Sequence, residues 1–339
     1  MNRYPSNPLL GLLALFAVAY GLLLLLGAAA ILWGMNKPRR KTLGVTLALG
    51  GATDPADLEM DAEEVTFNLS DGSASPGWIV KGQADDGPTA VVVHGHRDSR
   101  YGSLYRAQML QQYCHAIAVF DLPGHGDAAA GRCLMGAREA DDIRAVMHGL
   151  PEALTAGRPR VLLGYSMGAT LVIKAAAKYP ELIAGSESDS ESTAEGASGN
   201  TSGGGGTSGG GGVIACAPYR WWDEGLRGQM KRRGLPVQPL VAVVGLALRV
   251  SAGLKMPWGE RPGFDRAADA ARIARPLLVL HGDADTICPL SAGRAIAEAA
   301  PDGELVVIEG GTHNQLLGAD YDAVHAALAG FFKKLGKSV

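Results

Sequence analysis

Cysteine is scarce in this 339-residue chain, and the four present (Cys114, Cys133, Cys216 and Cys288) have neither CxxC spacing nor the density of a disulfide scaffold. They read as small apolar side chains near strand ends. Charge of one sign is also missing. The 31 Lys and Arg against 34 Asp and Glu leave a net −3, which offers no footing for nucleic acid or another polyanion. Apolar residues make up 47% of the chain, enough for one large core plus an appendage.

Other absences are local. No charge occurs from Leu9 to Gly34, a run of mostly Leu, Ala and Gly. As a helix rising about 1.5 Å per residue, it is long enough for the ~30 Å hydrocarbon core of a bilayer. A cleaved signal peptide has a shorter apolar stretch and then a small-residue cleavage site. Here Ala28-Ala29-Ala30 runs on into Ile31-Leu32-Trp33, so an uncleaved single-pass transmembrane anchor is expected, with Trp33 at an interface. Lys37, Arg39, Arg40 and Lys41 follow the span and only Arg3 precedes it, a bias that puts the bulk of the chain in the cytoplasm. Residues 1–41 are then anchor and basic flank, and residues 42–339 the domain.

Within that domain, strands are expected near Val65–Ser70 and Trp78–Lys81. Short apolar runs then alternate with helical patterns. The runs are Thr89–Val93, Ala116–Phe120, Arg160–Leu163, Val213–Cys216, Pro276–Leu280 and Glu304–Ile308. The helical patterns lie near Leu104–Tyr113, Glu139–His148, Met167–Lys178, Ser291–Ala299 and Tyr321–Lys334. Such alternation reads as βαβ units, hence a mainly parallel sheet with helices on both faces. Two segments break the rhythm. Ser186–Gly212 lacks apolar anchors, being acidic and Ser-rich and then almost pure Gly, Ser and Thr, and is expected to be a flexible insert. Residues 218–274 lack a strand and are expected to form a small helical cap above the sheet. Within it, apolar Leu240–Leu254 reads as a core-packing helix or as a second membrane-contacting surface.

The pattern G-x-S-x-G occurs twice, at Gly164–Gly168 and at Gly206–Gly210. Ser208 has no strand before it and no helix after it. Ser166 follows the apolar run Val161-Leu162-Leu163 and opens a helical pattern, the sharp strand-to-helix turn that lifts a hydroxyl above a sheet edge. A serine needs a base to take its proton and a carboxylate to hold that base's tautomer. Asp283 and Asp285 close the strand ending in Leu280-His281-Gly282, and His313 follows the strand Glu304–Ile308. Both places are carboxyl ends of strands, where α/β sheets bind ligands. His325, inside a helical pattern, is the only later histidine. After Ala90–Val93, the turn His94-Gly95-His96-Arg97 can offer the backbone N–H of His96, with that of Met167, to a developing oxyanion.

With these motifs the chain resembles the α/β-hydrolase superfamily over roughly Val65–Lys334, apart from the insert. It looks closest to membrane-anchored hydrolases grouped with serine aminopeptidase-like and acyl-ester or thioester hydrolases. The resemblance rests on His94-Gly95, Asp121-Leu-Pro-Gly124-His125-Gly126, Gly164–Gly168, and His281-Gly282-x-x-Asp285 with His313. It implies a catalytic triad of Ser166, Asp285 and His313, the family's H-G-x-x-D pattern selecting Asp285 over Asp283. It makes His125 structural and implies no cofactor or metal. The implied activity is hydrolysis of a carboxylic ester or thioester (EC 3.1), with a small-molecule or lipid-like acyl substrate. Peptidase or amidase action (EC 3.4) is the alternative. His96 and the long insert depart from the family pattern. Two rival readings are weaker. His94-x-His96-x-Asp98 resembles a metallo-β-lactamase-like ligand motif, but Ser99 stands where a histidine should follow and no good later ligand set appears. A catalytically silent binding module on the same fold would not need every expected catalytic position filled.

Overall fold

The computed structural model describes residues 8–129, 131–134, 138–184, 210–251 and 264–336. Eight strands form one sheet: β1 (Ala62–Asn68), β2 (Ala74–Lys81), β3 (Thr89–Val93), β4 (Ala116–Phe120), β5 (Arg160–Tyr165), β6 (Gly212–Cys216), β7 (Leu277–Gly282) and β8 (Gly303–Ile308). Their spatial order is β1-β2-β4-β3-β5-β6-β7-β8. The β1–β2 and β2–β4 pairs are antiparallel and all others parallel. Glu63 and Glu64 lie exposed on edge strand β1, where charge discourages pairing with another chain.

The helices are α1 (Pro8–Asn36), α2 (Leu43–Ala48), α3 (Arg100–Leu110), α4 (Glu139–His148), α5 (Glu152–Thr155), α6 (Met167–Lys178), α7 (Trp222–Arg232), α8 (Leu240–Ser251), α9 (Arg266–Ala270), α10 (Leu290–Ala299), α11 (Leu316–Ala319) and α12 (Tyr321–Lys334). Strand β3 shows why the inner strands read as unbroken apolar runs: both its faces are covered. Val91 and Val93 enter the core under α4, α6 and α10, while Ala90 and Val92 enter the core under α3 and α12.

Helix α3 begins four residues earlier than its apolar pattern suggests. Buried Arg100 pairs with Asp121 at 2.7 Å, so a charged residue starts the helix inside the protein. The insert also needs correction at its far end. Residues 186–209 lie outside the described residues, but Gly212 opens β6 and Gly211 donates its N–H to the Ile183 carbonyl. A Cβ on Gly211 would come within 1.8 Å of the Arg160 carbonyl oxygen, and one on Gly212 within 2.8 Å of the Phe331 ring. These glycines are sites of close backbone approach and not linker. The cap is narrower than residues 218–274. Helix α9 packs with α6 and α10 in the main layer, and Phe264, Ala270 and Ile273 belong to the central core. What lies above the sheet is α7 and α8, with residues 252–263 outside the described ones.

Helix α1 is long and apolar enough to cross a membrane. Its large side chains from Leu9 to Leu26 are mostly exposed. Its last turns are not: Ala28 and Met35 are buried with Val244 of α8, and Trp222 and Leu226 of α7 pack against the same cluster. Helix α8, read from sequence as core-packing or membrane-contacting, thus buries Val241 and Val244 while Leu246 stays exposed.

Candidate active site

Strand β5 ends at Tyr165, and the next residue, Ser166, takes φ 54° and ψ −113° before α6 begins. A positive φ at a non-glycine residue costs on the order of 1–3 kcal/mol and persists only where its surroundings dictate it. Here the surroundings are backbone. A Cβ on Gly164 would lie 2.2 Å from the Gly168 carbonyl oxygen, and one on Gly168 would lie 2.1 Å from that of Val93. Strands β3 and β5 and the start of α6 therefore meet at a turn that only glycines on both sides of the serine permit.

The loops after β7 and β8 bring Asp285 and His313 to this turn. His313 Nε2 lies 2.9 Å from Ser166 Oγ, and His313 Nδ1 lies 2.7 Å from Asp285 Oδ2. The other carboxylate oxygen of Asp285 accepts the backbone N–H groups of Ile287 at 2.8 Å and Cys288 at 2.9 Å. Burial alone would raise the Asp285 carboxyl, but the hydrogen bond and charge of His313, with those two N–H groups, hold it below its usual range. A charged carboxylate then fixes the proton of His313 on Nδ1 and leaves Nε2 to accept from the serine. The Tyr165 hydroxyl donates to the His313 carbonyl and pins the backbone of that loop. Asp283 does not join the line. It is exposed, and its Oδ1 accepts the Gly310 N–H at 2.8 Å.

His96 and Met167 flank Ser166 from two elements. Among the described residues no protein acceptor takes either backbone N–H. That of Met167 lies in the first turn of α6, where a helix leaves donors unpaired. The His96 ring donates from Nε2 to the Met35 carbonyl at 3.2 Å, and burial pushes its pKa down to about 4. His94 is fully engaged: Nδ1 donates to the Gly95 carbonyl at 2.8 Å and Nε2 accepts from Leu122 N at 3.0 Å. Asp98 is held by Lys41 and Arg106, each at 3.1 Å. The His94-x-His96-x-Asp98 set thus does not converge on one point. His125 is buried and donates from Nδ1 to the Pro123 carbonyl, in keeping with a structural role. Among the described residues, donor atoms close enough together for a cation are those of His96, His125 and Cys133, and those of Asp285, Cys288 and His313, each set within 4.8 Å.

Ser166 and His313 open into a cavity of about 810 Å³. Its far walls come from two places that the sequence alone did not connect with the site: Trp222 and Leu226 of α7, and Ile31 and Gly34 of α1. No local signal marks them, since an apolar helix docked on a cap reads like any other apolar helix. A hydroxyl bonded to an imidazole whose other nitrogen donates to a buried carboxylate can be deprotonated as it attacks. Unpaired N–H groups beside it can take up the charge that develops on a carbonyl oxygen.

The model of the alpha/beta hydrolase family matches residues 90–327. The chain belongs to this family and is a hydrolase. In sequence it is 24% identical over 263 residues to a pimeloyl-[acyl-carrier protein] methyl ester esterase of Chromobacterium violaceum, covering 71% of this chain and 92% of the relative. It is 26% identical over 266 residues to the esterase of the same description from Xanthomonas oryzae pv. oryzae, covering 72% and 95%. In structure it is similar to an esterase of Pyrococcus furiosus, with a TM-score of 0.61, 19% identity, and 89% and 98% of the two chains covered. A bacterial membrane phospholipase A superposes with a TM-score of 0.53 and 16% identity over 97% of this chain and 99% of the other.

Proposed function

We propose that the protein is a membrane-anchored serine hydrolase that cleaves a carboxylic ester or thioester through an acyl-enzyme on Ser166. The observation that carries this reading is the hydrogen-bonded line from Ser166 Oγ through His313 to Asp285, at 2.9 and 2.7 Å. Ser166 Oγ attacks the acyl carbonyl while His313 Nε2 takes its proton. Asp285 orients the imidazole and supports its positive charge. The backbone N–H groups of His96 and Met167 receive the oxyanion, each such donor being worth roughly 3–4 kcal/mol in the transition state. His313 returns its proton to the departing alkoxide or thiolate. Water, deprotonated by the same histidine, then releases the carboxylic acid and restores the serine.

Ester or thioester cleavage is favoured over amide cleavage by the esterases among the relatives, which match 71–72% of this chain. An apolar acyl group suits the walls that α1 and α7 contribute to the cavity. Membrane attachment rests on the exposed apolar face of α1 and on Trp33, over whose ring the Lys37 ammonium lies at 4.2 Å, a pairing suited to a bilayer interface. The basic residues that follow the span favour a cytoplasmic catalytic domain. A fluorophosphonate probe tests the chemistry: it should label the wild-type chain on Ser166, as read by peptide mass spectrometry, and leave Ser166→Ala unlabelled. Labelling on another residue would refute the assignment. Carbonate-resistant membrane pelleting, lost when residues 1–27 are removed, tests the anchor.

A further inference from the structure

Four cationic side chains line the active-site cavity: Lys41, Arg97, Arg106 and Arg233. One carboxylate, Asp98, serves two of them, since it pairs with both Lys41 and Arg106 at 3.1 Å. Arg106 is further occupied by the face of Tyr165, its guanidinium carbon 4.2 Å from the ring centroid. Arg97 and Arg233 have no acidic partner among the described residues. They come from separate elements, the loop after β3 and the end of α7, yet face one cavity. Arg97 is held there at φ 67°, a conformation unusual for any residue but glycine. Arg97 and Arg233 are both solvent-exposed, and partial desolvation, then the neighbouring charges of Arg233 and Arg39, lower the Arg97 guanidinium from its usual value. Like charges gathered with no paired carboxylate among the described residues repel one another, and an anionic ligand would relieve that repulsion.

One part of the cavity wall is of the opposite character. Ala30, Ile31 and Gly34 of α1 face it from one side and Leu226 of α7 from another. The continuous run of exposed large apolar side chains on α1, from Leu9 to Leu26, ends just before these residues, with Trp33 the one large side chain exposed beyond it, and Arg39 follows the helix by three positions. A helix whose exposed part, from Leu9 to Leu26, lies in hydrocarbon would therefore hold the cavity mouth at the bilayer surface, the level at which lipid phosphates lie.

We propose that Arg97 and Arg233 form a subsite for a phosphate group, and that the substrate is a phosphate-bearing acyl ester drawn from the bilayer. This rests on the serine-hydrolase reading and names its substrate class. Arginine suits the task because its planar fork of donors matches phosphate oxygens. The reaction balances as the hydrolysis already described: ester and water give a carboxylic acid and an alcohol, and the phosphate leaves with the alcohol. A thioester on a phosphopantetheine arm presents the same phosphate chemistry from water. The position of the cavity beside α1 favours the lipid.

The full-length protein in micelles of a non-ionic detergent that carries neither ester nor phosphate tests this with three acyl donors of equal chain length: phosphatidylglycerol, diacylglycerol and acyl-phosphopantetheine. Arg233→Glu, and separately Arg97→Gln with Arg233→Gln, should lower the ratio of kcat/KM for phosphatidylglycerol to that for diacylglycerol by ~10-fold or more, chiefly through KM. Arg232→Gln, one residue from Arg233 but outside the cavity lining, should leave the ratio within ~2-fold. Glycerol 3-phosphate should compete with phosphatidylglycerol in the wild type and lose potency in Arg233→Glu. An unchanged ratio in both arginine variants overturns the subsite while leaving ester hydrolysis in place. Arginine dependence seen only with acyl-phosphopantetheine overturns the lipid source. A wild-type chain that cleaves none of the three, nor a short neutral ester, overturns the hydrolase reading and the subsite with it.

Discussion

The His96 ring donates to the Met35 carbonyl across 3.2 Å, so the loop that carries one candidate oxyanion donor is fastened to the last turn of the apolar helix. Two further bonds tie the end of α1 and the residues just after it to the segment following β4: Cys133 N donates to the Asn36 carbonyl at 3.0 Å, and Arg40 Nη1 donates to the Ala128 carbonyl at 2.9 Å. The helix is divided in use, its first part exposed and its last turns built into the cavity wall.

That division predicts different outcomes for two truncations. A chain beginning at residue 28 should keep turnover on a short soluble ester within ~3-fold, because every contact just named survives. A chain beginning at residue 42 loses them all and uncovers Val244 and Trp222. Its turnover should fall by ~10-fold or more, and it should aggregate. Equal activity in the two chains, measured in detergent at matched concentration, would show that α1 only tethers.

Acid should destabilise the protein from about pH 6.5 downward. Burial lowers the pKa of His94, His125 and His281, and that of His96 to about 4. The unfolded chain then binds more protons than the native one between the folded values and ~6.5, so the stability these groups confer is present above ~6.5 and lost as pH falls. For His96 the window runs from ~6.5 down to about 4. Each such histidine contributes a slope of up to ~1.4 kcal/mol per pH unit. Asp285, whose folded pKa is depressed, adds its own loss below ~4, the carboxylate range. Melting temperatures from pH 8 to 5 should fall with increasing slope, and His96→Gln should flatten that slope without removing it. A melting temperature constant over this range would contradict the burial of these rings.

Gly211 and Gly212 end a tract that reads as linker but enter the sheet. Gly211→Ala sets a methyl against the Arg160 carbonyl, and Gly212→Ala sets one against the Phe331 ring. The backbone contact cannot yield as a side chain can. Gly211→Ala should cost ~2–3 kcal/mol and Gly212→Ala ~1–2 kcal/mol, by the scale of overpacked cores. Urea titration measures both, and near-neutral values for both would put these residues outside the packed sheet.

What sequence could and could not reveal divides along the same line as local and tertiary chemistry. The turn at Ser166 was legible because strand, glycines and serine are contiguous. His313 was legible from its place after a strand and the lack of rivals. Asp285 over Asp283 came from the family pattern; composition gave no preference, since the two carboxylates differ only in which partner the fold brings to them. The early start of α3 was hidden because Arg100 is polar yet buried through Asp121, a partner in another loop. The docking of α1 on α8 was hidden for the opposite reason: an apolar face looks the same in a bilayer as against a cap. Gly212 was hidden because a glycine tract shows only freedom, and the Phe331 ring that demands a glycine is far away in sequence.

The contrast between the two neighbouring aspartates is the sharpest test of the site. Asp285 Oδ1 accepts two backbone N–H groups, while Oδ2 faces His313 Nδ1 at 2.7 Å. In Asp285→Asn the two N–H donors demand the amide oxygen on their side and leave the NH2 group facing His313. Nδ1 must then accept, which moves the imidazole proton to Nε2, where it points at Ser166 Oγ and bars the ring from acting as base. The expected loss in kcat is ~10³–10⁴-fold, the size seen where the same tautomer is inverted in a serine protease, with little change in melting temperature. Asp283→Asn keeps an oxygen for the Gly310 N–H and touches neither His313 nor Ser166, so kcat should change by less than ~3-fold, under ~0.7 kcal/mol. Ser166→Ala and His313→Ala should each lower kcat by ~10³-fold or more with the fold intact, and the double variant should be little worse than either alone, because the two act as a unit. A damaging Asp283→Asn with a mild Asp285→Asn would transfer the orienting role to the wrong neighbour and refute the geometry. Full activity in Ser166→Ala would remove the serine mechanism altogether.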